Sequence, residues 1–171
     1  EGMDVVILNP SYIIGAGDIY RQSSSLLIQV AQQRLRLTTE GGLNVVSIED
    51  VVAGHLAAME RGERGERYIL GGHNLLHTVL LEKIALAAHV PPPTAMLSAG
   101  LLRLLSGPFS LLESFLNLPV SAGLLHQAGL HFYYATRKAQ VALRLAPPRP
   151  IEEAIAQALA WFAERGALSN R

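Results

Sequence analysis

The chain opens on an apolar run, Met3-Asp4-Val5-Val6-Ile7-Leu8, closed by Asn9-Pro10 and followed by Ser11-Tyr12-Ile13-Ile14-Gly15-Ala16-Gly17-Asp18. Contiguous aliphatic residues without polar alternation suit a strand covered on both faces, the situation in a parallel sheet. A parallel strand needs neighbours, yet almost nothing precedes this one and no initiating Met stands at Glu1. The expectation is an α/β chain that forms the carboxyl-terminal part of a larger protein.

Composition narrows the class. Half of the 171 residues are hydrophobic and 16% are charged, a profile rich in small aliphatics as buried-sheet α/β folds tend to be. Lys plus Arg equals Asp plus Glu at 14 each, so no long-range field draws the chain to nucleic acid or an anionic membrane. Absence of cysteine excludes a disulfide scaffold and thiolate metal sites, and fits a reducing, cytoplasmic location. The most apolar stretch, Ala95 to Leu118, is interrupted by Arg103, Gly107, Pro108 and Glu113. A spanning helix needs about 20 nearly uninterrupted apolar residues, so a packed helical hairpin is expected there instead of a membrane span.

Periodicity places the other elements. A helix is expected over Ser24 to Leu35 with Leu26, Leu27, Val30 and Ala31 on one face, then a short strand over Leu35 to Thr39 and a turn at Glu40-Gly41-Gly42. Asn44 to Ile48 reads as an extended run. Asp50 stands where an N-cap belongs, before a helix whose apolar face is Val52, Leu56 and Met59 and which stops at Gly62. Glu66 to Gly72 reads as a third strand, and Thr78 as the cap of a helix through Ala88 that ends before Pro91-Pro92-Pro93. Residues 94 to 130 read as two or three apolar helical segments broken at Gly107-Pro108 and Pro119, and Tyr134 to Leu145 as a short helix. The last helix follows Pro150. It has Glu152 and Glu153 in its first turn, an Ile151/Ile155/Leu159/Phe162 face with Trp161 beside it, Arg165 in its last turn and Gly166 beyond.

Few residues offer chemistry. Ligands of open α/β sheets bind beyond the carboxyl ends of the strands, which makes Leu8 to Tyr12 the candidate cofactor segment. Its competing reading is a strand terminator, Asn-Pro starting a turn. Gly15-Ala16-Gly17 lacks the third glycine of a dinucleotide fingerprint and reads as a turn needing positive φ. Tyr134-Ala135-Thr136-Arg137-Lys138 spells Tyr-x-x-x-Lys, a spacing in which a lysine one helical turn away lowers a phenol's pKa for proton exchange with a carbinol oxygen. That spacing recurs often by chance, and a structural role is the favoured reading. Among the histidines at 55, 73, 77, 89, 126 and 131, only His73 and His77 have helical spacing, with no carboxylate before Glu82, so no metal site is expected. His55 is expected to pack against the sheet.

Several segments in this order resemble the extended short-chain dehydrogenase/reductases, in particular the NAD(P)-dependent epimerase/dehydratase branch related to dihydroflavonol reductases and hopanoid-associated sugar epimerases. They are Val5-Val6-Ile7-Leu8-Asn9-Pro10 with Gly15-Ala16-Gly17-Asp18, the stretch Gly42 to His55, the stretch Gly65 to Asn74, and Arg137-Lys138-Ala139 leading to Trp161-Phe162. The resemblance implies the carboxyl-terminal strands of a Rossmann-type parallel sheet plus a mostly helical substrate-binding domain. Residues 1–75 would hold the last Rossmann strands and substrate loops, 76–135 a helical substrate cap, and 136–171 the terminal helices. It further implies NAD or NADP in the complete enzyme, with the dinucleotide loop and the catalytic Tyr and Lys upstream of Glu1 and no catalytic residue in this chain. Backbone groups of Leu8, Pro10, Ser11 and Tyr12 would face the cofactor, and Asn9, Asp18 and Arg21 the substrate.

The Tyr134/Lys138 pair falls on the family's late helix, where its Lys-Ala step is structural. Two departures bear on substrate and local geometry. Nucleotide-sugar epimerases usually carry an Arg shortly before the helix-start Asp to pair with substrate phosphate, where this chain has Leu43-Asn44-Val45-Val46. Ala135, Arg137 and Leu143-Arg144 stand where many relatives have Asp, Ser and Leu-Gly. The implied activity is oxidoreduction or epimerisation at a secondary alcohol or ketone carbon of a sugar- or dihydroflavonol-like small molecule, with a homodimer of the full-length enzyme as its assembly. The competing reading is a non-catalytic binding or scaffold module that uses an uncovered sheet edge.

Overall fold

β1 (Ile7–Pro10) hands the chain to β2 (Tyr12–Ile14) across one residue, Ser11, and the two strands belong to different sheets. Residues 2–20, 25–98, 100, 101, 104 and 129–168 are described by this computed structural model. After β2 come α1 (Ser25–Ala31), β3 (Leu37–Thr39), β4 (Gly42–Ser47), α2 (Ile48–Arg61) and β5 (Arg67–Leu70). Then follow β6 (His73–Leu76), α3 (His77–Ala87), β7 (Ala95–Leu97), β8 (His131–Phe132), α4 (Arg137–Ala142) and α5 (Ile151–Glu164).

β1 pairs parallel with β5, placing Leu8 opposite Tyr68 and Pro10 opposite Leu70. β2 lies parallel to β4, which pairs antiparallel with β6 and parallel with β8. β3 and β7 form a third, parallel pair. The fold is α/β and Rossmann-like, as expected.

β4 divides the interior because successive side chains of a strand point to opposite faces. Val45 belongs to a core built with Ile14, Leu27, Leu80, Ile84, Ile155 and Ala158, so β2, α1, α3 and α5 close on one face. Val46 belongs to a second core with Val51, Ala57, Tyr68, Leu70, Ala139 and Leu143, which joins α2, β5 and α4. α5 follows its expected pattern closely. Ile151, Ile155, Leu159 and Phe162 are buried, Gly166 adopts φ 67°, and the Arg165 guanidinium stacks 3.9 Å from the Trp161 ring centre.

Several expectations are corrected. The opening strand is not covered on both faces. Ile7, Asn9 and Pro10 are exposed, because the second core packs against β1 on the side of Val6 and Leu8. Asp50 is not the cap of α2. Ser47 is, with its Oγ accepting from the Asp50 N–H at 3.0 Å, and the Asp50 carboxylate turns to Arg149.

Three large apolar residues of α2 point away from the core. Val51, Gly54, Ala57 and Ala58 are buried, whereas Val52, Leu56 and Met59 are exposed. Small residues let this helix approach the sheet closely: a Cβ on Gly54 would sit 2.7 Å from Leu70 Cδ1. His55 is likewise exposed, its Nδ1–H donating to the Val51 carbonyl at 2.8 Å.

Thr78 is not a cap either. β6, unforeseen, runs straight into α3, and the His77 N–H is satisfied by the Gly41 carbonyl at 3.0 Å. α1 ends at Ala31, where Gln33 turns to φ 54°, and α4 spans Arg137–Ala142 with β8 before it. The helical hairpin expected within 94–130 lies almost wholly outside the described residues. Its described beginning is the strand β7.

Candidate functional site

Leu8 to Tyr12 form a seam at the carboxyl ends of the parallel pair β1/β5, where the chain crosses to the second sheet. Leu8 is half-buried against the second core, while Asn9 and Pro10 are exposed. The Ser11 N–H donates to the Leu70 carbonyl at 2.9 Å, extending the β1/β5 ladder by one residue. The Ser11 hydroxyl is buried and has no hydrogen-bond partner among the described residues. A buried hydroxyl normally finds a partner, so one left open beside an exposed Asn-Pro edge fits a seam that receives a polar ligand.

Tyr12 packs its ring against the first core. Burial, with the nearby Asp18 charge adding to it, pushes the Tyr12 phenol up to about 12. The raised value means that the folded state keeps this proton while an unfolded chain would lose it near the ordinary tyrosine value. The associated stability is therefore intact below that value and fades as pH rises towards the folded pKa. Ultraviolet titration of the protein minus its Tyr12→Phe variant should show a phenol still protonated at about pH 11, where exposed tyrosines have ionised. Asp18→Asn should lower its midpoint part of the way, because burial remains. An unshifted midpoint in the parent protein would remove Asp18 and Tyr12 as a coupled pair.

The loop between them explains its glycines separately. Gly17 holds φ 99°, the left-handed turn expected of this stretch. Gly15 is needed for space, since a Cβ there would lie 2.1 Å from Ile48 Cγ2. Asp18 is half-buried beside Tyr12, and Arg21 lies outside the described residues.

The other sequence candidates separate from this seam. Tyr134 precedes α4, its N–H donating to Asn74 Oδ1 at 3.2 Å. Lys138 turns to Glu66 and the Arg67 carbonyl, its ammonium 5.2 Å from the Tyr68 ring centre. The two never face each other as an acid/base pair, and Lys138 instead holds the Glu66 carboxyl below its usual range. His73 Nε2 meets the Arg149 carbonyl at 2.8 Å, whereas His77 Nδ1 meets Thr39 Oγ1 at 3.3 Å. Burial lowers the His77 pKa. No cluster of three metal-ligating side chains occurs among the described residues.

Two arrangements escaped the sequence reading. Asn44 is fully buried within β4, and its Nδ2 donates to Asn74 Oδ1 at 2.6 Å while its Oδ1 accepts from the Gly72 N–H at 3.1 Å. Gly71 must lack a side chain, because a Cβ would stand 2.4 Å from that same Oδ1. The only sequence signal was a carboxamide in an otherwise apolar strand.

The second arrangement is a clamp at Arg149. Its N–H donates to Asp50 Oδ2 at 3.0 Å, and its Nε lies 3.4 Å from Asp50 Oδ1. Beneath it is a cavity of about 140 Å³ lined by residues that include Val46, Ile69, Gly71, Thr136 and Gln140. Ligand pockets run to about 300 Å³ and more, so this space does not hold a dinucleotide, and no residue of the Leu8–Tyr12 seam lines it.

No protein-family model matches the chain. A putative dihydroflavonol 4-reductase of Synechocystis sp. is 30% identical over 177 residues, which cover 97% of this chain and 50% of the relative. The crystal structure of PA4631, a nucleoside-diphosphate-sugar epimerase from Pseudomonas aeruginosa, superposes with a TM-score of 0.80 at 27% identity. That match covers 98% of this chain and 51% of the other. A UDP-glucuronic acid 4-epimerase from Bacillus cereus, solved as a point mutant in complex with a fluorinated UDP-sugar and NAD, superposes at 0.65 with 14% identity and shares the fold alone. The chain thus spans about half the length of the relatives it matches.

Proposed function

We propose that this chain belongs to the NAD(P)-dependent epimerase/dehydratase family of extended short-chain dehydrogenase/reductases and supplies the carboxyl-terminal half of an oxidoreductase or epimerase acting on a secondary alcohol or ketone. One observation carries the reading: the parallel β1/β5 pair ends in a seam with exposed Asn9 and Pro10 and an unsatisfied Ser11 hydroxyl. The side chains present fit a nicotinamide end. Main-chain groups of Leu8, Pro10, Ser11 and Tyr12 would bind it, and Asn9 and Asp18, with Arg21, would line the substrate side. The nicotinamide group, when bound, supplies hydride chemistry, and this chain's residues orient the partners and exclude water. The acid/base Tyr and Lys and the dinucleotide loop would stand upstream of Glu1. Residues 76–135 would form the substrate cap. The assembled enzyme would be a cytoplasmic homodimer, and no helix among the described residues is long and apolar enough to cross a membrane.

The neighbours' names offer two substrate classes, and β4 favours one. Its stretch Leu43-Asn44-Val45-Val46 carries no cation to pair with a diphosphate. The carboxamide of Asn44 is consumed by Asn74 and Gly72. A neutral cyclic ketone or alcohol of the dihydroflavonol kind therefore suits this chain better than a nucleotide sugar. Calorimetry with NADH and NADPH tests the reading. The 171-residue chain alone should show no saturable binding below about millimolar concentration, a range in which only weak contacts operate. The same chain preceded by the amino-terminal half of the Synechocystis relative should bind and oxidise NADPH in the presence of a dihydroflavonol. Micromolar binding by the chain alone would overturn the placement of the dinucleotide loop.

A further inference from the structure

Packed folds keep few voids larger than a water molecule, because empty space forfeits contacts and stability. The cavity beneath the Asp50–Arg149 clamp is such a void, at about 140 Å³. Small residues leave it open, Ala53, Gly71 and Ala139 among them. Gly71 has no room for a side chain of its own, since a Cβ would stand 2.4 Å from Asn44 Oδ1 and 2.8 Å from Thr136 Cγ2. Val46, Ile69 and Leu145 make much of the wall aliphatic. Water settles in a cavity where it finds two to four polar partners, whereas an aliphatic space of about 150 Å³ stays dry and accepts a benzene ring. The polar side chains on this wall form two bonded pairs. One is the clamp, and in the other Gln140 Nε2 donates to Thr136 Oγ1 at 3.2 Å. Among the described residues these pairs leave open the Arg149 Nη groups, which donate, and Gln140 Oε1, which accepts.

We propose that this cavity is a binding site for one small neutral ring bearing a hydroxyl group, a molecule of the size of phenol. The ring lies against the aliphatic wall, and the hydroxyl, both donor and acceptor, takes up a group that the two pairs leave open. Volume excludes anything much larger than one ring. An anion is unsuited, because the Asp50 carboxylate lies 3.4 Å from Arg149 Nε and already offsets the guanidinium charge. A sugar is unsuited as well, since hydroxyls around its whole edge would be stranded against aliphatic side chains. The cavity shares no lining residue with the Leu8–Tyr12 seam. It is therefore a second site, and its test stands apart from that of the proposed activity.

The experiment titrates phenol, benzene and benzoate into the 171-residue chain and follows amide chemical shifts. Phenol should saturate with a Kd of about 0.1–1 mM, the range open to a ligand of so few atoms. Its largest shifts should fall on Gly71, Thr136, Ala139 and Gln140. Benzene should bind at least about fivefold more weakly, for want of one hydrogen bond. Benzoate should not saturate below about 10 mM. Phenol at about 10 mM should raise the melting temperature by at least about 3 °C. Ala53→Leu, at an exposed position of the wall, and Ala139→Val, at a buried one, add volume at two separate points. Each should weaken phenol by at least about fivefold, and the first should melt like the parent when no phenol is present. Gln140→Met/Arg149→Met removes both open groups and should bring phenol down to the affinity of benzene, with benzene unchanged. Phenol bound equally by the parent and both volume variants is seated elsewhere and overturns the proposal. So does phenol that fails to saturate below about 10 mM, benzene bound as tightly as phenol, or benzoate bound more tightly than either. Phenol binding that the double variant leaves untouched overturns it too.

Discussion

Replacing Tyr68 by alanine is expected to destabilise the chain by about 3–5 kcal/mol, the range for deleting a buried aromatic ring. Tyr68 is 1% exposed in β5 and stands opposite Leu8 of β1, so it supports the strand pair that forms the seam. Its ring packs in the core of Val46, Val51, Leu70 and Leu143, and the Lys138 ammonium lies 5.2 Å from its centre. Its hydroxyl accepts from the Glu63 N–H at 3.2 Å, tying the turn before β5 to the core. Total stability of a domain is about 5–15 kcal/mol, so the loss takes a large share and shifts the melting temperature by about 10 °C. Tyr68→Phe separates the two contributions. It keeps the ring and removes only the hydroxyl, at about 1 kcal/mol. Chemical denaturation of the three proteins measures the difference. A Phe variant as weak as the Ala variant would show that the hydroxyl, and not ring packing, dominates.

Asn44→Ala is expected to cost about 2–4 kcal/mol, because it leaves a main-chain donor without its acceptor inside the fold. Asn44 joins three elements: its own strand β4, Asn74 of β6, and the Gly72 N–H after β5. Asn74 passes the connection on, accepting from the Tyr134 N–H. Asn44→Asp tests the geometry differently. The carboxylate still accepts from Gly72 but has no N–H for Asn74 Oδ1, and a charge in this buried position is costly. Both variants should unfold at lower denaturant than the parent. Burial raises the new carboxyl's folded pKa above its unfolded value, so the Asn44→Asp protein should regain stability as pH falls and that group takes up a proton. An Asn44→Ala protein as stable as the parent would mean that a water satisfies Gly72.

Asn44 also illustrates what was hard to read along the chain. Its neighbours Leu43, Val45 and Val46 suited a strand, and β4 is one. Whether its carboxamide faced ligand or structure depended on Asn74, thirty residues away, and on the close approach of Gly71. α2 is a sharper case. Its helical spacing was legible, and Ser47-Ile48-Glu49-Asp50 carried two capping residue types, of which Ser47 caps because the chain turns helical at Ile48. Periodicity marks two apolar stripes on this helix without ranking them. The stripe of Val51, Gly54, Ala57 and Ala58 went inward, and at Gly54 the Leu70 side chain leaves no room for more. β6 and β8 escaped notice because each is short and is held by pairing with β4 more than by its own composition.

By itself the sequence determined the α/β class, the secondary structure of α5 with its flanking Pro150 and Gly166, and the strand β5. These follow from local rules, namely aliphatic runs, terminal charges and breakers, which act within a few residues of chain. Only the tertiary structure decided that β1 and β2 part company at Ser11, that Lys138 serves Glu66 and Tyr68, and that α2 turns Val52, Leu56 and Met59 outward. Each of those outcomes is a choice among partners far apart in sequence. Such choices are settled by packing space and by the need to satisfy buried polar groups, which no local pattern records.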